Sequence, residues 1–195
     1  MIRSLFRRPR SFIEIYDDAL SEKDCEFIIK HFEKSPHLEG RTSQGYYPDV
    51  KKCAQITIDL EDLNSISNMV KLKSSECMNH YAKKYHNSLG HIYYWSFYRY
   101  ANIQKYDGED EGYKIWHCEH DRGEIESKRV IAWMIYLNDA KSGTEFSNYP
   151  TINAKRGRCV IWPSSWTHTH KGVTPNKGLK YIITGWCSYL DSDNP

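Results

Sequence analysis

The sequence predicts a mainly β (α+β) protein, a barrel or sandwich of antiparallel strands supported by two N-terminal helices. Three observations carry this. The first ninety residues hold two stretches with apolar residues at helical spacing. After Gly90 at least five short β-like runs follow one another, punctuated by turn residues. No helix-period stretch interrupts that second half, which disfavours a parallel βαβ sheet.

The elements can be justified in order. Phe12–Tyr16 alternates briefly and reads as a strand. Asp18–Ser35 reads as a helix: Ser21 followed by Asp24 resembles a capping box, and Cys25, Ile28, Ile29 and Phe32 make one apolar face. The Ser35-Pro36 step ends it. Residues 36–50 are polar, with Gly40, Gly45 and Pro48, and read as an exposed loop. Cys53–Leu60 alternates like a half-buried strand. From about Asn64 to His86, Ile66, Met69, Val70, Cys77, Tyr81 and Tyr85 form the stripe of a second helix, closed by Asn87–Gly90. The β-like runs are Ile92–Tyr100, Tyr113–Glu119, Arg129–Leu137, Arg158–Trp162 and Lys180–Tyr189. The acidic stretch from Asn102 to Lys114 reads as a lid or a solvated turn. The expected organisation is one domain over residues 1–195, with helical support at about 17–90 and a β-barrel core at about 92–190.

Totals narrow the function classes. The 27 Lys and Arg nearly balance the 25 Asp and Glu, so no global field argues for nucleic-acid or membrane partners. Six scattered cysteines without a C-x-x-C read as reduced thiols, which points to the cytoplasm. The basic start, residues 1–12, lacks the apolar core of a secretory signal. No apolar run approaches the ~20 residues that span a bilayer.

Chemistry concentrates in Trp166–Trp186. His168 and His170, two apart on a strand, face one compartment. A turn at Thr174–Gly178 brings back a strand that opens with Lys180, placing a histidine and a lysine beside one cavity. Upstream, His117 and Glu119 share a strand face. Two imidazoles and one carboxylate are the ligand set of non-haem iron(II) oxygenases, which leaves positions open for substrate and oxygen. Strand parity alone does not choose between His168 and His170. An inward lysine is costly unless paired, so Lys180 suits a carboxylate-bearing ligand. Lys180, Ile182, Thr184 and Trp186 share a face, as do Val130, Ala132, Met134 and Tyr136.

These residues fall in a familiar order: Tyr106 and Gly108, His117 with Glu119, Arg129, Tyr136-Leu137-Asn138, Gly143-Thr144-Glu145-Phe146, Arg156-Gly157, His170-Lys171-Gly172-Val173, Gly178, Lys180-Tyr181 and Trp186. The chain from Phe12 to Tyr189 resembles the iron(II)- and 2-oxoglutarate-dependent dioxygenases of the prolyl 4-hydroxylase type. The resemblance implies a double-stranded β-helix (jelly-roll) barrel. It also implies Fe(II), 2-oxoglutarate and O2 as cofactors, and it allows ascorbate. His170 is the metal ligand it selects, by the following glycine and the step to Lys180, with His168 left as a substrate-side or supporting group. Lys180, Tyr136, Tyr106 and Thr184 are the implied cosubstrate residues, and Arg129 and Trp186 are substrate-side or supporting. The implied reaction hydroxylates a substrate C–H, foremost in a prolyl or other residue of a peptide or protein, as 2-oxoglutarate becomes succinate and carbon dioxide.

The chain departs from the pattern twice. Glu119 stands where the family has Asp, with Asp121 as the fallback ligand, and Ser-Gly-Thr-Glu replaces Gly-Gly-Glu-Thr. The competing readings are a jelly-roll binding protein without catalysis and a zinc-bound variant of the same three ligands. Nucleic-acid dealkylation is disfavoured, because the paired arginines of that branch are missing after His170.

Overall fold

The computed structural model describes residues 11–175 and 178–190. Most of the basic N-terminal arm and the centre of the Thr174–Gly178 connection therefore lie outside the described residues. In chain order the strands and helices are β1 (Glu14–Tyr16), α1 (Glu22–Lys34), β2 (Leu38–Glu39), β3 (Lys51–Lys52), β4 (Ala54–Asp59), α2 (Ser65–Lys84), α3 (His86–Leu89), β5 (Trp95–Phe97) and β6 (Tyr100–Asp107). Then come β7 (Gly112–Tyr113), β8 (Arg129–Tyr136), β9 (Gly143–Phe146), β10 (Tyr149–Asn153), β11 (Cys159–Pro163), β12 (His170–Val173) and β13 (Leu179–Tyr189).

The large sheet runs β1-β11-β8-β13-β6-β4-β2, with β5 added beside β13, and every pairing in it is antiparallel. A smaller sheet, β10-β9-β12, faces it. This is the expected jelly-roll arrangement of two antiparallel sheets.

Alternation along β8 builds both layers of the core. Ile131, Trp133 and Ile135 face the helices, in one cluster with Ile28, Phe32, Val70 and Tyr81. Ala132, Met134 and Tyr136 face the small sheet, in a second cluster with Phe146, Ile152 and Trp162. The helices exist to cover the first face. In α1 the capping box is present, with Asp24 N–H donating to Ser21 Oγ at 3.2 Å and Ser21 N–H to Asp24 Oδ2 at 3.1 Å. Cys25, Ile28 and Phe32 are fully buried there, at roughly 1.5–3 kcal/mol for each large side chain. Asn64 caps α2 by accepting from the N–H groups of Ile66 and Ser67. No helix among the described residues is long and apolar enough to cross a membrane.

The structure corrects several expectations. The predicted strand Ile92–Tyr100 is only Trp95–Phe97, and the stretch read as a lid is largely β6, a central strand with Ala101, Ile103, Gln104 and Tyr106 buried. Only residues 108–111 remain as a turn. Polar Asn102, Gln104 and Lys105 masked this strand: Asn102 and Gln104 bond to Gln55 and Thr57 on β4, and Lys105 pairs with Glu33 on α1. The predicted strand Tyr113–Glu119 is also not continuous: β7 ends at Tyr113. His168 closes a 3-10 turn (Trp166–His168) rather than lying on a strand, so it does not share a face with His170. Finally, β12 and β13 belong to opposite sheets rather than adjoining in one.

Candidate active site

His117 and Glu119 hang between two anchors. His117 and His170 exchange backbone hydrogen bonds at 2.9 and 2.8 Å, while Glu119 N–H donates to Ser164 O at 3.0 Å. This fixes both side chains toward the space between the sheets, beside His170 at the start of β12. Among the described residues the donor atoms of His117, Glu119 and His170 all lie within 4.8 Å of one another. Glu119 Oε1 is 3.3 Å from His170 Nε2 and 3.8 Å from His117 Nε2.

Each imidazole is oriented by a backbone carbonyl. His117 Nδ1 sits 3.0 Å from Ile115 O, and His170 Nδ1 sits 2.9 Å from His168 O. With Nδ1–H given to a carbonyl, Nε2 is the nitrogen turned toward the carboxylate: protonated, it can donate to Glu119, and without that proton it offers its lone pair to a metal. Tyr113 stacks on His117 with centroids 3.6 Å apart, and Phe146 and Trp162 pack against His170. Burial, reinforced by the His170 charge, pushes the His117 imidazole down to about 4. It is therefore neutral at physiological pH. Burial would raise the Glu119 carboxyl, but the His170 hydrogen bond and the His117, His170 and Arg129 charges outweigh it, holding the group well below the usual range.

The other carboxylate oxygen is occupied by the protein. Trp186 Nε1–H donates to Glu119 Oε2 at 2.8 Å, with Arg129 Nη1 3.5 Å away. Arg129 also pairs with Glu126 at 3.3 Å and lies 4.0 Å over the Trp186 ring. The longer acidic side chain is thus tied back on Oε2, while Oε1 faces the two histidines.

These donors fit a divalent metal. Ligands about 2.0–2.2 Å from an ion in neighbouring positions lie about 3 Å apart, and the carboxylate–imidazole distances of 3.3 and 3.8 Å are within about an ångström of that. Three protein donors leave further positions for exogenous ligands.

The cavity continues away from these residues to Lys180, lined by Tyr106, Tyr136, Thr144, Ile182 and Thr184. Lys180 is 3 % exposed; its Nζ donates to Val173 O at 2.8 Å and sits 4.7 Å over the Tyr106 ring. Burial lowers its pKa to about 8. Tyr136 and Thr144 share a hydrogen bond of 2.8 Å. Outward, a cleft of about 560 Å³ opens past Tyr113, His117, Glu119, Arg129 and Trp186 toward Tyr47, Tyr98 and Tyr100.

Of the sequence-predicted residues, His117, Glu119, His170, Lys180, Tyr136, Tyr106, Thr184 and Trp186 line this one cavity, and Arg129 lines the cleft outside it. Asp121 also lines only the outer cleft and is not grouped with the histidines. His168 lies apart: its Nε2 is 2.7 Å from Ser11 O and its ring stacks on Tyr149. Sequence reasoning missed Thr144, Gln104 and Lys51. For Thr144 the signal was strand parity with Phe146; Glu145 points outward to a half-exposed pair with Lys171.

Residues 101–188 match the sequence profile of the 2OG-Fe(II) oxygenase superfamily. No curated protein sequence matches the chain. Among solved structures it is similar to a viral collagen prolyl hydroxylase from Paramecium bursaria Chlorella virus-1 in complex with 2-oxoglutarate. That match has 17 % identity and a TM-score of 0.69, covering 92 % of this chain and 97 % of that one. A prolyl hydroxylase from Trichoplax adhaerens, in complex with a hypoxia-inducible-factor peptide, gives 15 % identity and a TM-score of 0.71 over 92 % and 84 % of the two chains. A Pseudomonas putida prolyl 4-hydroxylase gives 12 % and 0.67 over 93 % and 94 %. At these identities the structures establish the fold, and the profile match covers every cavity-lining residue except Lys51. Residues 101–188 thus match the 2OG-Fe(II) oxygenase superfamily, and the chain is built on the fold of the prolyl 4-hydroxylase structures.

Proposed function

We propose that His117, Glu119 and His170 hold Fe(II), that Lys180 anchors 2-oxoglutarate, and that the substrate is a prolyl or other residue of a peptide or protein. One observation carries this: a cluster of three metal donors stands at one end of a cavity whose other end holds a buried lysine with no carboxylate partner among the described residues. Bound iron would supply the redox chemistry by which O2 gives one oxygen atom to 2-oxoglutarate, yielding succinate and carbon dioxide, and the other to a substrate C–H as a hydroxyl group.

The chain's own contribution is placement. Neutral Nε2 atoms and one ionised Glu119 oxygen present donors on a single side. Lys180 meets the far carboxylate of the cosubstrate with a charge-assisted hydrogen bond, to which the Tyr136 and Thr144 hydroxyls add. Thr184 and Tyr106 wall that end, and Met134, Phe146, Trp162 and Ile182 exclude water. At the mouth Tyr113 and Trp186 line the junction of cavity and cleft and offer aromatic surface to a saturated ring such as that of proline, and Arg129, in the outer cleft, is set to contact the adjoining backbone. The peptide complex of the Trichoplax relative supports a polypeptide substrate. Six unpaired thiols support a cytoplasmic setting. We take residues 1–195 as a single domain, acting without nucleic-acid or membrane partners.

The test is anaerobic addition of Fe(II) and 2-oxoglutarate to the purified protein, watched for the visible metal-to-ligand charge-transfer band. The band is expected in the native protein, absent in His170→Ala, and reached only at about tenfold or more higher 2-oxoglutarate in Lys180→Ala. A native protein that gives no band and retains zinc would overturn the proposal in favour of the zinc-bound reading.

A further inference from the structure

A second lysine stands in the same cavity wall. Lys51 opens β3, is 6 % exposed, and lines both the inner cavity and the outer cleft. Its Nζ donates to two neutral oxygens, Arg41 O at 3.1 Å and Gln55 Oε1 at 3.0 Å. An ammonium has three donors, and no carboxylate among the described residues forms an ion pair with this one. The neighbouring charges are committed elsewhere: Glu119 to the histidines, Trp186 and Arg129, and Glu126 to Arg129. A buried cation with only neutral partners is costly unless a ligand completes it.

Position separates Lys51 from Lys180. The residues shared by the inner cavity and the outer cleft are Lys51, Tyr113, His117, Glu119 and Trp186, so they form the junction through which a substrate reaches the metal donors. Lys180 belongs to the inner cavity alone. The Lys51 ammonium therefore stands on the substrate's side of the site. Gln55, which accepts from Lys51, is itself held by Gln104 at 3.0 Å and donates to Asn102 at 3.1 Å, and Asn102 accepts from Thr57. This ladder across β4 and β6 fixes the ammonium in place.

We propose that Lys51 is a specificity-determining residue that binds a carboxylate of the substrate next to the hydroxylated residue. The inference rests on the oxygenase reading above and deepens it: the preferred substrate is acidic at the position adjoining the target. That carboxylate comes either from an Asp or Glu side chain or from a free C-terminus.

The test uses proline-containing peptides in three forms: an acidic neighbour, the corresponding amide neighbour, and a free against an amidated C-terminus. Binding to the Fe(II)–2-oxoglutarate protein is followed without oxygen by perturbation of the charge-transfer band and by calorimetry. The wild type is expected to favour the carboxylate form over its amide by about tenfold to a hundredfold, the range of a hydrogen bond to a charged group. Lys51→Gln should erase that preference, and Lys51→Glu should reverse it toward a lysine neighbour. In both variants 2-oxoglutarate should bind within about threefold of wild type, and circular dichroism should confirm folding. Equal binding of carboxylate and amide peptides by the wild type would overturn the proposal, as would failure to bind any of them. A loss of 2-oxoglutarate affinity in Lys51→Gln as large as that in Lys180→Ala would also overturn it, making Lys51 a second cosubstrate anchor. A native protein with no charge-transfer band marks failure of the oxygenase reading instead; calorimetry on the same peptide pairs then decides the carboxylate preference by itself.

Discussion

Replacing Trp186 with phenylalanine should weaken metal binding while leaving the fold intact. The indole N–H is the close donor to Glu119 Oε2, at 2.8 Å, and the Arg129 guanidinium at 3.5 Å is a poorer one. A hydrogen bond to a charged group contributes about 1.5–3 kcal/mol. Part of it would be recovered as Arg129 closes in, leaving about 1–2 kcal/mol. That converts to a loss of roughly 5–30-fold in metal affinity, consistent with the 10–100-fold typical of groups that orient a metal ligand. Phenylalanine preserves the aromatic face beneath Arg129, so the cation–π contact persists. The assay is titration of the metal-free protein with Fe(II) under anaerobic conditions, or with Co(II) as a stable reporter, beside a thermal melt of the same protein. A raised metal Kd with little change in metal-free Tm is expected. An unchanged metal Kd would refute it, showing that Glu119 needs no tether to reach the histidines. A melt lowered by many degrees with unaltered metal affinity would assign Trp186 to packing alone.

Two further outcomes are expected. Affinity for 2-oxoglutarate should be flat below pH 8 and fall about tenfold per unit above it, because the binding form is the protonated Lys180 and burial has lowered its pKa to about 8; Lys180→Met should remove the slope. The metal-free protein should show the opposite sign. The unfolded chain keeps that proton up to 10.5, so stability rises from pH 8 through 10.5, by about 3 kcal/mol in chemical denaturation. Gly185→Ala should destabilise by about 1–3 kcal/mol or more in a thermal or denaturant melt, since its Cβ would stand 2.2 Å from Cζ2 of the buried Trp133 ring.

Local patterns were legible where one physical effect dominated. The capping box and apolar stripe of α1, the alternation along β8, and the shared face of Lys180, Ile182, Thr184 and Trp186 depend on near neighbours, and a sequence displays near neighbours directly. That His117, Glu119 and His170 meet, with Lys180 in the same cavity, was legible because two histidines, a carboxylate and an inward lysine are rare residue types in a fixed order.

Other features needed the folded chain. β6 was hidden because its polar residues are satisfied across the sheet, by partners such as Gln55 on β4. The parity argument that put His168 beside His170 assumed a strand where the chain makes a 3-10 turn. His117 and Glu119 point into the cavity although no continuous strand holds them, since their anchors are His170 and Ser164, both more than forty residues away. Lys51 falls between the predicted loop 36–50 and the predicted strand from Cys53 and carried no sequence signal, yet the pairing of β3 with β7 carries it into the wall of the site. Sequence alone determined which groups are present and which faces are apolar, because those follow from residue type and short spacing. The tertiary structure decided which of those groups meet, because that depends on contacts between segments whose separation along the chain carries no local signal.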